Sequence, residues 1–159
     1  MSFAETAKPE ILAFLPIHKA AFRSLNHEWI NKYFELEELD RQILEYPEKN
    51  ILAKGGHILM AQYQGELVGT CALLKVSESR FELGKMAVTE KMQKLKIGQL
   101  LVRAAIEKAR GAGAAHLVLY SHRKLEPALH VYRKFGFQEV PCPANGYKRA
   151  DIKMELALD

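Results

Sequence analysis

The chain has 159 residues, of which 48% are hydrophobic and 26% charged, with a formal net charge of +4. Such a composition predicts one compact domain over residues 1–159 and excludes collagen-like and low-complexity chains. No apolar run approaches the roughly 20 residues that cross a bilayer, and the N-terminus lacks the basic-then-apolar order of a signal peptide.

The partners and location expected from the sequence follow from its cysteines and charges. Cys71 and Cys142 do not make a disulfide framework, which favours a cytoplasmic protein with reduced thiols and no membrane partner. A dense basic face with interleaved aromatic residues is absent from the sequence, so we expect no nucleic-acid partner.

The first third of the chain predicts mainly helices. Residues 2–7 could form an edge strand, and Pro9 is a candidate helix start because proline suits the first helical position. Pro16 either begins a second helix or kinks the first. Residues 17–34 and 37–46 then have the apolar spacing of helices that pack on a core.

We expect the helix over residues 17–34 to fall into two pieces. Ser24 and Asn26 are both candidate N-caps, since such side chains accept hydrogen bonds from the first turn of a helix. Trp29 and Tyr33 crowd one side of the second piece. These aromatic side chains either anchor the helix on the core or wall a substrate pocket.

The rest of the chain predicts strands interrupted by two helices. The expected strands are 57–63, 67–76, 81–88, 116–120, 137–140 and 148–156, and the expected helices are 97–110 and 126–135. A strand, a helix and a strand in succession over residues 81–120 imply a parallel pair joined by a right-handed crossover. The clean alternation after residue 148 indicates a half-buried antiparallel strand. We therefore expect an α/β domain (α+β by some schemes) with a mixed sheet.

A basic turn precedes the helix that begins at residue 97. Lys91, Lys94 and Lys96 lie in this turn. The first N–H groups of a helix have no intrahelical acceptor, and the helix dipole is positive at that end, so the turn suits an anion. Three lysines favour a phosphorylated ligand.

Three segments carry a family resemblance: L-G-K-M-A-V at 83–88, Q-K-L-K-I-G at 93–98 and L-E-P-A-L-H-V-Y-R-K-F-G-F at 125–137. Over roughly residues 57–140, their order and spacing resemble the GNAT family of N-acetyltransferases. L-N-H-E-W-I and K-Y-F-E-L-E, within 25–37, are similar to the acetyltransferase half of MarR–GNAT fusion proteins. The resemblance implies a mostly antiparallel mixed sheet of six to seven strands, flanked by helices, with a parallel central pair.

The resemblance also implies acetyl-CoA as the acyl donor. In the family, a glycine-bearing turn holds the pyrophosphate through backbone amides, and the pantetheine arm lies between the two strands of the parallel pair. The corresponding cofactor-binding residues are Met86, Ala87, Val88, Gln93, Lys94, Leu95, Lys96, Ile97, Gly98, Gln99 and His122. Lys96 departs from the family pattern, which has a glycine there, and glycine permits backbone torsions that other residues resist.

Tyr132 and Glu82 are the candidate catalytic residues. Tyr132 matches the family tyrosine that protonates the departing thiolate; the alternative is a core aromatic residue. Glu82 is the first candidate base if alternation places it on one strand face with Gly84, Met86 and Val88, and the alternative is a carboxylate paired with a lysine. Family members carry a bulge in this strand, which frees an N–H group to polarise the thioester carbonyl.

Other candidate sites are weaker. His57 opens a strand and is a poorer base, and Cys142 has no partner pattern for a nucleophile. No spacing of His, Cys, Asp and Glu indicates a metal site.

The resemblance implies an acetyl-CoA-dependent N-acetyltransferase that transfers the acetyl group directly to a primary amine of a small molecule or peptide. Two alternatives remain open: a non-catalytic acyl-CoA-binding or regulatory module, and an acyltransferase for longer acyl groups. Family acceptor pockets are built from N-terminal helices and loops, which makes Asn26, Trp29 and Tyr33 candidate substrate-binding residues. A homodimer is compatible with the sequence.

Overall fold

The computed structural model describes residues 8–144 and 147–158, without the side chains of residues 93–95. The strand expected at 2–7 lies outside the described residues. One sheet contains seven strands in the order β1-β2-β3-β4-β5-β7-β6. The strands are β1 (Glu10–Ala13), β2 (His57–Tyr63), β3 (Glu66–Ser77), β4 (Arg80–Val88), β5 (His116–Ser121), β6 (Gln138–Val140) and β7 (Ile152–Ala157). The helices are α1 (Lys19–Tyr33), α2 (Glu38–Glu45), α3 (Ile97–Gly111) and α4 (Glu126–Lys134).

The sheet is antiparallel except at its centre, where β4 and β5 are parallel, as predicted from the order of strand, helix and strand. The parallel pairing joins Arg80–Glu82 to 116–118 and then stops. Beyond that point β5 continues to pair with β7, whereas β4 continues with β3. The two central strands therefore diverge and open the sheet between them.

A bulge interrupts β4 just where the strands diverge. Thr70 on β3 lies opposite Ala87, and Ala72 lies opposite Gly84, so one residue of β3 is matched by two residues of β4. The first of those two, Lys85, has a φ of 50°, in the left-handed region that side chains rarely adopt. The bulge implied by the family resemblance is therefore present, but Lys85 rather than Gly84 has the unusual backbone torsion.

The bulge reverses the alternation of side chains along β4. Leu83 before it and Met86 and Val88 after it all pack on the core cluster beneath α3. The prediction that Glu82 shares a face with Met86 and Val88 is therefore wrong, because an extra residue in a strand shifts the period-two pattern by one. Ala87 instead packs on the opposite face of the sheet.

The core has one layer on each side of the sheet. On one side, α3 and α4 cover a cluster that includes Leu101, Leu117 and Met154, none of which is exposed. On the other, α1 and α2 cover a cluster that includes Phe22 and Leu44, also without exposure. Two covered faces explain why β2 and β3 are apolar on both sides.

The structure corrects the predicted start of the chain. A helix was expected from Pro9, but Glu10–Ala13 is the edge strand β1, paired with β2. Four residues are too few to show a reliable period, and here pairing with the exposed edge of β2 decides the conformation. A short 3-10 turn, Pro16–His18, then leads directly into α1.

Helix α1 is continuous, so the expected break within residues 17–34 does not occur. The Ser24 hydroxyl donates to the Ala21 carbonyl at 3.4 Å, and the Asn26 amide donates to the Phe22 carbonyl at 3.0 Å. These bonds back to the preceding turn allow Ser24 and Asn26 to sit inside a helix instead of capping one.

Strand β7 begins at Ile152 rather than at residue 148. The backbone N–H groups of Lys148 and Arg149 donate to the Glu37 carboxylate at 2.9 and 3.3 Å, so this segment bonds to the loop before α2 instead of to a strand. Separately, no helix within residues 8–144 and 147–158 combines the length and hydropathy that a bilayer crossing requires.

Candidate active site

The divergence of β4 and β5 opens a cleft with a volume of about 410 Å³. Residues 83–88 form one wall, and residues 120–122 together with α4 form the other. The start of α3, on one side of the sheet, and aromatic residues of α1, on the other side, also line the cleft, together with the segment before β7. The lining thus includes both a helix start that can bind an anion and aromatic side chains.

The start of α3 is shaped by Lys96, which has φ 57° and ψ 33° at the N-cap position. This left-handed conformation is the one that a glycine adopts without strain. Lys96, Gly98 and Gln99 line the cleft, whereas the Ile97 side chain is fully buried in the core. Ile97 can therefore contribute only its backbone to a ligand in the cleft.

The other residues expected to bind the cofactor are placed as follows. Met86, Ala87, Val88 and His122 all line the cleft. The His122 ring is held by Asp151, at 3.3 Å from Nε2, and by the Lys124 backbone N–H, which donates to Nδ1 at 3.1 Å. The side chains of Gln93, Lys94 and Leu95 lie outside the described part of the chain.

Tyr132 lies on α4, against the cleft wall. Its ring packs edge-on against Phe137, with 5.8 Å between ring centres, and its side chain is buried. Burial raises the pKa of the Tyr132 phenol well above the ordinary value. The hydroxyl therefore keeps its proton at neutral pH and is a potential hydrogen-bond or proton donor. Burial likewise raises the pKa of the neighbouring Cys71 thiol, to about 12.

Unlike Tyr132, Glu82 does not belong to the described lining of the cleft. It is partly buried on β4, near Lys85 and Lys153. Burial raises the pKa of the Glu82 carboxyl, and the two lysines only partly oppose the shift. A carboxyl with a raised pKa can exchange a proton closer to neutral pH, but contact with the cleft would need an intervening water.

A buried ionic network that includes two residues of the cleft lining was not anticipated from the sequence. The Lys85 ammonium donates to Asp40 Oδ1 at 2.6 Å, and the two terminal nitrogens of Arg149 donate to the two Asp40 oxygens at 2.6 and 2.7 Å. Burial would raise the pKa of Asp40, but the bonds from Arg149 and Lys85 hold it well below its usual range. The one sequence signal was Lys85, a charged residue among the apolar residues in the second half of β4.

Aromatic residues surround the Arg149 guanidinium. Its central carbon lies 5.8, 5.9 and 4.7 Å from the ring centres of Trp29, Phe34 and Tyr147. Trp29, the half-exposed Tyr33 and Phe34 line the cleft. These rings form an aromatic part of its wall.

Asn26 is not a pocket residue. It is fully buried, and its side-chain oxygen accepts a hydrogen bond from the Trp29 indole N–H at 3.3 Å. The prediction that Asn26 binds the substrate is therefore wrong, and Asn26 instead orients Trp29.

His57 lies beside Phe81, with 6.0 Å between ring centres, and burial lowers its pKa. It does not belong to the described lining of the cleft. Over residues 8–144 and 147–158, no group of three or more His, Cys, Asp or Glu side chains could hold a metal ion.

Comparison with known proteins identifies a family and a relative that match most of the chain. The acetyltransferase (GNAT) family matches residues 20–137. The uncharacterized N-acetyltransferase YvbK of Bacillus subtilis is 33% identical over 105 residues, which cover 64% of this chain and 68% of that protein.

Solved structures show the same fold. An acetyltransferase of the GNAT family from Staphylococcus aureus Mu50 superposes with a TM-score of 0.85 at 21% identity, covering 95% of this chain and 99% of that one. YncA from Salmonella typhimurium, solved with its cofactor acetyl-CoA, gives a TM-score of 0.77 at 18% identity and covers 96% and 95% of the two chains.

Proposed function

The chain belongs to the acetyltransferase (GNAT) family, and we propose that it transfers an acetyl group from acetyl-CoA directly to an amine. The observation that carries the proposal is the cleft between β4 and β5, whose lining includes the start of α3, Tyr132 and the aromatic residues of α1. One cleft thus offers a site for phosphate, a proton donor and aromatic walls for an acceptor.

The described residues fit acetyl-CoA, which when bound supplies a thioester open to attack by an amine. The N–H groups at the start of α3 would bind the phosphates, with Lys96 adding a positive charge. Residues 83–88, which do not pair with β5, would offer backbone groups to the pantetheine arm. An N–H group released at the bulge would polarise the carbonyl, and a donor of this kind lowers a barrier by roughly 3 kcal/mol.

Tyr132 is the proposed acid. The amine nitrogen forms a bond to the carbonyl carbon as the bond from that carbon to sulfur breaks, and the Tyr132 hydroxyl donates its proton to the leaving sulfur. The amine gives up one proton to water, which we propose is relayed to Glu82. The raised pKa of Glu82 suits that transfer.

The remaining proposals concern the location, partners and oligomeric state of the protein. We place the protein in the cytoplasm, acting on an amine of a small molecule or peptide without a nucleic-acid partner. The similarity of residues 25–37 to MarR–GNAT fusion proteins and a homodimeric state remain hypotheses that rest on the sequence.

Release of free CoA, measured with acetyl-CoA and a panel of amines, tests the function. We expect thiol release that depends on one class of acceptor. Tight binding of acetyl-CoA without transfer to any amine would instead indicate a binding module. Thermal shifts with acetyl-, propionyl- and succinyl-CoA test the acyl group, because the ligand that binds tightest raises the unfolding temperature most at equal concentration.

A further inference from the structure

We propose that the acceptor is an amine that also carries a carboxylate, of the α-amino acid type, and that Lys85 and Arg149 bind this carboxylate. The inference rests on the proposed function, since it states which groups bind the acceptor in the same cleft. Three features of the cleft support it: the sign of the charges that line it, the placement of their counter-ions, and the aromatic walls.

The charged side chains that line the cleft are all basic. Lys85, Lys96, Lys124 and Arg149 are among the lining residues, and none of the described lining residues is Asp or Glu. A polycationic acceptor would therefore meet like charges without a lining carboxylate to pair with. An acceptor with a carboxylate would meet charged donors.

The counter-ions of Lys85 and Arg149 lie behind them. The Asp40 side chain is fully buried and accepts bonds from both cations, and Glu37 lies 3.4 Å from Arg149. Neither acid is part of the described cleft lining. The two acids thus fix the positions of the cations, and the cations, rather than the acids, line the cleft.

Donors remain for a ligand after these bonds are made. The Lys85 ammonium has three N–H groups, of which its bond to Asp40 uses one, while the ammonium also sits 4.4 Å from the ring centre of Tyr147. The Arg149 guanidinium has five N–H groups in a fixed plane, of which two bond to Asp40 and one to Glu37, so two remain. The pair can therefore take a second carboxylate besides Asp40.

The position of Lys85 ties the carboxylate to the reacting amine. Lys85 is itself the bulge residue of β4, so its side chain links a bound carboxylate to the backbone that would polarise the thioester. A carboxylate held there favours an acceptor whose amine is near its carboxylate, as in an α-amino acid, over one with the two groups at opposite ends of a long chain. Nearby cations also lower the pKa of the acceptor ammonium and so favour the neutral amine that attacks.

The walls indicate the side chain of the acceptor. Trp29, Phe34 and Tyr147 surround Arg149 at ring-centre distances between 4.7 and 5.9 Å. Flat apolar walls beside charged donors fit an amino acid with an apolar or aromatic side chain better than a polyhydroxylated amine.

The test compares each standard L-amino acid with its α-amide, and includes spermidine and kanamycin as polycations. Loss of one charge-assisted hydrogen bond weakens recognition by about tenfold or more, so we expect kcat/KM for the best amino acid to exceed that of its amide by at least that factor. An amide that equals its acid, or a polycation that exceeds both, overturns the inference.

A binding measurement separates this inference from the proposed function. The unfolding temperature of the protein saturated with CoA is measured with the same pairs of acids and amides. Stabilisation by an acid without acetylation supports the carboxylate site and contradicts the transferase function. Acetylation of other amines with neither acetylation nor stabilisation by any acid contradicts the carboxylate site and supports the function. No response to any acid, even without transfer, also overturns the inference.

Variants at Arg149 test the residue itself. Arg149→Gln should bring the ratio of kcat/KM for acid over amide towards one, and Arg149→Lys should retain part of it. A loss of stability alone would lower both rates and leave the ratio unchanged. The matched control is Arg23→Gln, an exposed arginine paired with Glu45 on the surface, which should leave the ratio as in the wild type.

Discussion

At the scale of single residues, Tyr132 is both a packed core side chain and the proposed proton donor. The same burial that packs its ring on Phe137 raises the pKa of its phenol, so the hydroxyl is fully protonated across the neutral range. The raised pKa keeps the proton on the hydroxyl before the reaction but makes its donation harder, because the best proton donors have pKa values near the working pH. The cost of burying a hydroxyl is offset when it finds a partner in the occupied cleft.

Tyr132→Phe removes the hydroxyl and keeps the ring. We expect kcat to fall by about 100-fold, the lower range for loss of a general acid, because the thiolate would leave without a proton. The dissociation constant for acetyl-CoA, measured by calorimetry, should stay nearly unchanged, since the ring still fills its place. Wild-type turnover in this variant would remove the acid assignment.

Asp40 is the residue on which the buried network depends. Asp40→Asn keeps the shape but leaves Lys85 and Arg149 sharing an uncharged partner, and breaking a buried ion pair in this way costs about 3–5 kcal/mol of unfolding free energy. Urea denaturation at pH 7 measures the loss. The exposed Glu45→Gln, which breaks only the surface pair with Arg23, should stay within about 0.5 kcal/mol of the wild type.

The pH dependence of this loss of stability is a second test of the contribution of the Asp40 charge. The folded-state pKa of Asp40 lies below its unfolded value, so its contribution is fully present above the unfolded pKa of about 4 and declines as pH falls below it. The difference in stability between the wild type and Asp40→Asn should therefore narrow with decreasing pH below about 4. A difference that stays constant between pH 7 and pH 3 would contradict the role assigned to this charge.

At the scale of elements, the turn into α3 combines an unfavourable backbone conformation at Lys96 with the positive charge of the same residue. Lys96 holds a left-handed conformation that costs a residue with a side chain about 1 kcal/mol. Lys96→Gly should therefore raise the unfolding free energy by about 0.5–1 kcal/mol, in spite of the greater freedom of glycine in the unfolded chain. Denaturant titration measures the gain.

The same variant tests whether phosphate is bound mainly by the Lys96 ammonium or by the N–H groups of the helix start. If the N–H groups of the helix start do most of the binding, Lys96→Gly keeps the affinity for acetyl-CoA. Lys96→Gln is the matched control, because it removes the charge but keeps a side chain in the left-handed conformation. Equal, large losses of affinity in both variants would show that the ammonium itself is needed.

Elements with a long regular pattern could be predicted from the sequence. The bounds of β2 match the prediction, and α3 begins at the predicted residue, because a run of apolar residues ended by turn signals has one reading. β1 could not be predicted, since its conformation depends on pairing with β2, 46 or more residues away in sequence (Ala13 with Leu59). α1 was misjudged because Asn26 resembles a cap until its bond to the preceding turn is known.

The candidate site was predictable only in part. The helix start and Tyr132 belong to local motifs, and both line the cleft. The network of Asp40, Lys85 and Arg149 joins three distant parts of the chain, and no local pattern relates them. The face of Glu82 was wrong for a related reason, since a bulge depends on how β4 pairs with β3.

At the scale of the whole molecule, the cleft divides the sheet into two parts. β1 to β4 form one part and β5, β7 and β6 the other, and their only direct strand pairing in the described chain is the short parallel ladder that ends at Glu82. α3 packs on the first part, against β1 to β4. A ligand that pairs with the open edge of β4 would complete the connection between the two parts.

We therefore expect acetyl-CoA to stabilise the whole domain and to protect both walls of the cleft. At a ligand concentration 100 times the dissociation constant, the unfolding free energy should rise by about 2.7 kcal/mol. At exchange times short compared with global unfolding, hydrogen exchange should slow in peptides that cover residues 83–88 and 119–121, while a peptide from β2, which is already paired on both sides, should change little. Stabilisation without slower exchange at 83–88 would place the ligand elsewhere on the molecule and contradict the role given to the divergence of β4 and β5.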